Sequence, residues 1–133
     1  MTSSSMNPQF NGEFSPLSAL VTRAIRRYGE AHPGTVDGDT MLVFLDFANE
    51  IIEEIRTHPY WTGGELPYYT HQTETRPIPD AIMVAGLMAL YGEQQYSEKA
   101  KVYTAKYYST LNRVLAHRAG MTSERPELTT IEQ

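Results

Sequence analysis

The chain has no cysteine, which excludes disulfide staples, thiolate zinc sites and thiol nucleophiles. Positive charge is also scarce: 11 lysines and arginines against 16 aspartates and glutamates leave a formal charge of −5. A general nucleic-acid binder needs a cationic surplus to neutralise phosphates, so that class is disfavoured. No hydrophobic run is long enough to cross a bilayer, which takes about 20 residues, so no membrane association is expected. The N-terminus shows no basic stretch followed by an apolar one, and no secretory signal is expected. Glycine-rich phosphate loops of the P-loop or dinucleotide type are missing, and no cofactor is expected.

The 133 residues suit one domain with one modest core. The opening "MTSSSMNPQFNGEF" (1–14) is small, polar and unpatterned, and reads as an N-terminal arm. In "SPLSALVTRAIRRYG", Leu17, Leu20, Val21, Ala24, Ile25 and Tyr28 recur at helical spacing. Ser15 suits the cap, Pro16 the first turn and Gly29 the C-terminal stop. After the loop "HPGTVDGDT", Asp39 is the expected cap of a second helix over 40–57. Its stripe is Met41, Leu45, Ala48, Ile52 and Ile55, widened by Leu42, Phe44 and Ile51. Asp46, Glu50, Glu53 and Glu54 against Arg56 make its outer side acidic.

The stretch 58–78, "HPYWTGGELPYYTHQTETRPI", has no helical period, and its "LPYYTHQTETRPI" part suits a small β-hairpin because Tyr and Thr favour extended pairing. A third helix follows from Pro79 to about Gln94, then a tight turn near Tyr96 and Ser97. Ser97 is the expected cap of a last helix from Glu98 to about Ala119, with Gly120 as its left-handed stop. Ala100, Tyr103, Tyr107, Leu111, Val114 and Leu115 mark its buried stripe. Lys99, Lys101, Lys106, Arg113 and Arg118 against Glu98 make this helix basic. Residues 120–133 form a polar, acidic tail. The expected fold is all-α: a four-helix bundle over 15–119, with a long aromatic loop between helices 2 and 3 and extended termini.

Catalysis finds little support. His32, His58, His71 and His117 are scattered, without the one-face pairing of a helical zinc site. "DGD" at 37–39 lacks the further oxygen ligands of a calcium loop and suits a turn plus a cap. Glu50, Glu53 and Glu54 crowd one helix with no second catalytic group, which suits a solvated face. The expectation is a protein that is not an enzyme and holds no metal.

Contact material is in surplus instead. "PDAIMVAGLMALY" (79–91) has no polar side after Asp80. If Ile82, Ala85, Ala89 and part of Leu90 face the core, then Met83, Val84, Leu87, Met88 and Tyr91 point elsewhere and would form a subunit interface. The other reading makes this helix the centre of the bundle, enclosed by the remaining three. Tyr60 and Trp61 of "HPYW" are residue types that dominate binding hot spots, although the lone tryptophan equally suits a core plug. An acidic and a basic helix in one chain can attract each other between neighbouring copies, and head-to-tail repetition closes a ring.

The strings "ANEIIEEIRTHPYW", "IPDAIMVAGLMALYGEQQ" and "KAKVYTAKYYSTLNRVLAHR", in that order after an amphipathic helix, resemble the head-to-tail connector (adaptor) proteins of tailed double-stranded DNA bacteriophages over about residues 15–119. The resemblance implies a virion component made in the host bacterial cytoplasm and placed in the neck. There a ring of about twelve copies would join the portal protein to a tail, collar or stopper protein and extend the channel. Double-stranded DNA would pass without sequence-specific binding. On this chain the loop contact to a neighbour or tail protein would fall to Pro59, Tyr60, Trp61, Tyr68 and Tyr69. The channel-facing acids would be Glu50, Glu53 and Glu54, and the portal-docking tail would use Arg125, Pro126, Leu128 and Ile131. Twelve copies at −5 each would carry roughly −60, which keeps DNA from adhering.

Two other readings stay open. A small helical ligand-binding or regulatory protein would use the apolar helix to line a pocket. A DNA-binding module using Arg23, Arg26, Arg27 and the basic last helix lacks an evident recognition helix.

Overall fold

A computed structural model of the chain describes residues 14–29 and 36–120. They form four α-helices: α1 (Leu17–Tyr28), α2 (Gly38–Arg56), α3 (Asp80–Gln94) and α4 (Ala100–Arg118). The 1–13 part of the expected arm, the expected tail 121–133 with Arg125, Pro126, Leu128 and Ile131, and residues 30–35 lie outside the described residues.

The bundle is organised around α3, which packs against each of the other three helices and most extensively against α4. This arrangement corrects the expectation of an exposed interface on α3. Met83, Val84 and Leu87 are 0, 2 and 0% exposed within a single subunit. Met88 and Tyr91 are half-buried, and so are Ala85 and Leu90, which were expected to face the core. The physical reason is position: a helix with neighbours on three sides needs apolar residues all round, so its missing polar face marks the bundle's centre. Tyr91 joins a run of aromatic rings, edge-on to Tyr28 at 4.9 Å and stacked on Phe44 at 5.5 Å. Gly86 lets the helices approach closely, since a Cβ there would lie 2.6 Å from Ile51 Cδ1 and 2.9 Å from Tyr107 Cε1.

Helix α1 buries all six of its stripe residues. In α2 the buried set is Met41, Phe44, Phe47, Ala48, Ile51, Ile52 and Ile55. Leu45 is half-buried and Leu42 is 62% exposed, so the core lies further toward Phe44 and Phe47 than the expected stripe. In α4, Tyr107, Leu111 and Leu115 are buried as expected, Thr110 joins them, and Ala100, Tyr103 and Val114 are half-buried.

The caps differ in instructive ways. The α2 cap is Asp37, not Asp39: its carboxylate accepts from the Thr40 N–H at 2.8 Å. That bond holds the Asp37 carboxyl below its ordinary pKa. Ser97, expected as the cap of a helix beginning at Glu98, sits in the turn before it: its hydroxyl accepts from the Lys99 N–H at 3.0 Å, next to Tyr96 at φ 52°, and Lys99 takes the cap position of α4 with no side-chain bond. Gly29 and Gly120 are left-handed, with φ 104° and 82°.

Ser15 does not cap α1. The first free N–H groups of α1, on Leu17 and Ser18, donate instead to Glu74 O (3.0 Å) and Gln72 O (2.8 Å) of the 57–79 connection. A distant loop thus does the work usually given to a side chain at a helix start.

Candidate functional site

The 57–79 connection contains the long aromatic loop expected over 58–78, and the structure makes most of it part of the bundle. No strand forms in it. Its backbone finds side-chain partners in place of a second strand. Asn49 of α2 grips Tyr69 twice, its Nδ2 donating to Tyr69 O (3.0 Å) and its Oδ1 accepting from Tyr69 N (2.8 Å). Arg56 Nε donates to Leu66 O at 2.9 Å, and Arg76 donates to the carbonyls of Pro67 and Tyr68. Leu66, Tyr69 and Ile78 are buried in the core.

Tyr69 is therefore corrected from a contact residue to a core residue: it is 2% exposed, with the Arg76 guanidinium 4.9 Å from its ring centre. Burial pushes its phenol up to about 12, against the pull of Arg76. Tyr60 and Trp61 are half-buried against the core, and Trp61 Nε1 donates to Gly64 O at 2.9 Å. His58 fixes this corner to α4. Its Nδ1 accepts from the Tyr60 N–H (3.0 Å), so Nε2 carries the proton and donates to Asn112 Oδ1 (2.7 Å). Pro59 and Tyr68 are exposed. The Tyr68 hydroxyl donates to Glu53, and the Arg56 guanidinium lies 4.2 Å from its ring centre.

Glu74 anchors the far end of the connection. Its carboxylate accepts from the Thr70 N–H (2.7 Å) and hydroxyl (2.8 Å), from the His71 N–H (3.2 Å) and from Arg76 (3.2 Å). Donors converging on the charged form, the Thr70 bonds first, hold its pKa down at about 2.

Two recesses flank the α3–α4 seam, and they differ in charge. The first, between α1, α3 and α4, encloses about 470 Å³. Val84, Ala85 and Met88 floor it, Tyr103 and Thr110 wall it, and Arg27, Lys106 and Arg113 rim it. The second, between α2, α3 and α4, encloses about 290 Å³. Glu50, Glu54 and Glu93 surround Ala89, Leu90 and the Tyr107–Tyr108 pair there. Helical register explains the sorting: positions 84, 85 and 88 of α3 and 103, 106, 110 and 113 of α4 look to one side, and 89, 90 and 93 with 104, 107 and 108 to the other.

Of the three acids expected on one face, only Glu50 and Glu54 border the second recess, while Glu53 turns to Arg56 and Tyr68. Glu54 Oε1 accepts from the hydroxyls of Tyr107 (3.0 Å) and Tyr108 (3.1 Å). Burial, then the Glu54 carboxylate, raises the Tyr107 pKa; for Tyr108 the bond to Glu54 is the larger cause. The cationic recess was missed as a unit, because Arg27, Lys106 and Arg113 come from two helices that only the fold brings together. Among the described residues, no group of three or more His, Asp or Glu side chains is placed to hold a metal ion, and no helix is long and apolar enough to cross a membrane.

No family model matches the chain, and neither does any curated protein or solved structure.

Proposed function

We propose that the protein is a ring-forming connector of a tailed bacteriophage virion, placed between portal and tail and lacking enzymatic activity. One observation carries the reading: a single subunit presents a cationic recess on one side of its α3–α4 seam and an acidic recess on the other. Such a subunit is complementary to a second copy, the cationic recess of one to the acidic recess of the next, and head-to-tail repetition of that contact closes a ring. Most of the apolar surface of α3 is spent inside the subunit, so assembly rests on charge and on what α3 leaves in the two recesses, chiefly Ala85, Met88 and Leu90. The sequence resemblance supplies the virion context, with portal and tail, collar or stopper proteins as partners and double-stranded DNA passing through the ring.

The test is co-expression with a portal protein from the same genome, followed by mass photometry and negative-stain microscopy. Closed rings of about twelve copies of the 15.0 kDa subunit are expected. A chain that stays monomeric beside portal rejects the reading.

A second reading has its own observation. The 470 Å³ recess, with an apolar floor and three cations at its rim, has the size and lining of a site for an amphipathic anion. That reading makes the protein a small helical ligand-binding module with no assembly role. Titration with a fluorescent aryl sulfonate tests it: saturable binding at micromolar concentration, lost in Arg113→Glu, by a chain that never assembles would favour it over the ring.

A further inference from the structure

Resting on the ring reading, we infer that the interface between neighbouring copies is the α1–α3–α4 recess of one subunit seated on the acidic α2–α3–α4 flank of the next. The recess offers Lys106 and Arg113, both exposed, beside the apolar floor that includes Met88. The flank offers Glu50 and Glu93, also exposed, around the half-buried Leu90. Charge and apolar area therefore match in kind on the two surfaces, with cations bordering one greasy centre and carboxylates bordering the other.

Among the described residues, neither surface is consumed by internal ion pairs. Among the described residues, the salt bridges join Arg23 to Asp80, Arg56 to Glu53 and Arg76 to Glu74, all outside these two recesses. Within the acidic flank, Glu54 is engaged by Tyr107 and Tyr108, which stiffens that wall, Glu93 accepts from the Thr104 hydroxyl at 3.2 Å, and Glu50 and Glu93 are both exposed. Like-charge approach opposes recess-to-recess and flank-to-flank contacts, so the recess of one copy meets the flank of another; a closed pair of two copies in place of a ring would overturn the head-to-tail arrangement.

Charge exchange in the full chain tests the pairing. The recess variant Lys106→Glu/Arg113→Glu carries two acidic surfaces, and the flank variant Glu50→Lys/Glu93→Lys carries two basic ones. All four positions are exposed, so each variant keeps its helical circular dichroism and melts within a few degrees of the unaltered chain. Mass photometry is expected to show each variant assembling at least tenfold more weakly than the unaltered chain. An equimolar mixture recovers rings of alternating variants, and so does the single chain carrying all four changes. Rings that form undiminished in either variant alone, or a mixture that does not recover them, overturn the proposed interface and leave the ring reading standing. An unaltered chain that makes no ring beside portal overturns both. Loss of aryl sulfonate binding in the recess variant with assembly unchanged also overturns the interface and assigns the recess to a small anion.

Discussion

Ser15 and Asp80, 65 positions apart, hold each other twice: the Ser15 N–H donates to Asp80 Oδ1 at 2.7 Å and the Ser15 hydroxyl to Oδ2 at 2.6 Å. Arg23 adds a third bond to Oδ2 at 3.1 Å, and Asp80 itself is buried at the first turn of α3. One carboxylate thus ties the start of α1 to the start of α3, and its negative charge suits the helix end it occupies.

Asp80→Ala removes the carboxylate that accepts both of these buried Ser15 bonds and is expected to cost about 2–4 kcal/mol in urea unfolding. Arg23→Ala removes a partner that is about one-third exposed and should cost under about 1 kcal/mol. If the two variants unfold at the same midpoint, the Ser15 bonds are not what Asp80 contributes.

Gly86→Ala places a methyl group against Ile51 and Tyr107. Ile51 can rotate away, but the Tyr107 ring is held by its bond to Glu54. Net of the helix-propensity gain, a loss of about 1–3 kcal/mol is expected, read as a lower melting temperature. A gain in stability would show that α2 and α4 have slack around α3.

Asn49→Ala removes both side-chain partners of the Tyr69 backbone. Leaving these part-buried groups unpaired is expected to cost about 1–3 kcal/mol. It should also speed limited proteolysis within 57–79 ahead of cleavage in the helices. Equal rates for variant and unaltered chain would mean that the arginine contacts suffice to hold the connection.

Glu74 sets an acid limit. Its folded-state pKa is about 2, against an ordinary 4.5. A depressed carboxylate stabilises the fold above its unfolded pKa and loses that contribution as pH falls through the folded one. The stabilisation is thus present above about pH 4.5 and fades toward pH 2. Glu74→Gln should melt below the unaltered chain at pH 6, with the gap closing as the pH approaches 2; a gap that persists there would assign Glu74 a role of shape and not of charge.

The sequence by itself determined the helices. The i, i+3, i+4 pattern placed the whole buried stripe of α1, the glycines at 29 and 120 marked its end and that of α4, and the end of α3 fell at Gln94 as expected. Local pattern suffices there because helix existence depends on neighbours three and four positions away. It failed where partners are distant. No local signal says that the carbonyls of Gln72 and Glu74 cap α1, that Asn49 stands in for a β-strand, or that Tyr69 is core.

For α3 the pattern was informative about burial and silent about the cause. A helix without a polar side is buried by something, and only the tertiary structure decides whether that is its own bundle or a second molecule. Here α1, α2 and α4 enclose most of it. The same packing sorts Arg27, Lys106 and Arg113 to one side of the α3–α4 seam and Glu50, Glu54 and Glu93 to the other, because side chains on neighbouring helices become one surface only when the axes are set beside each other.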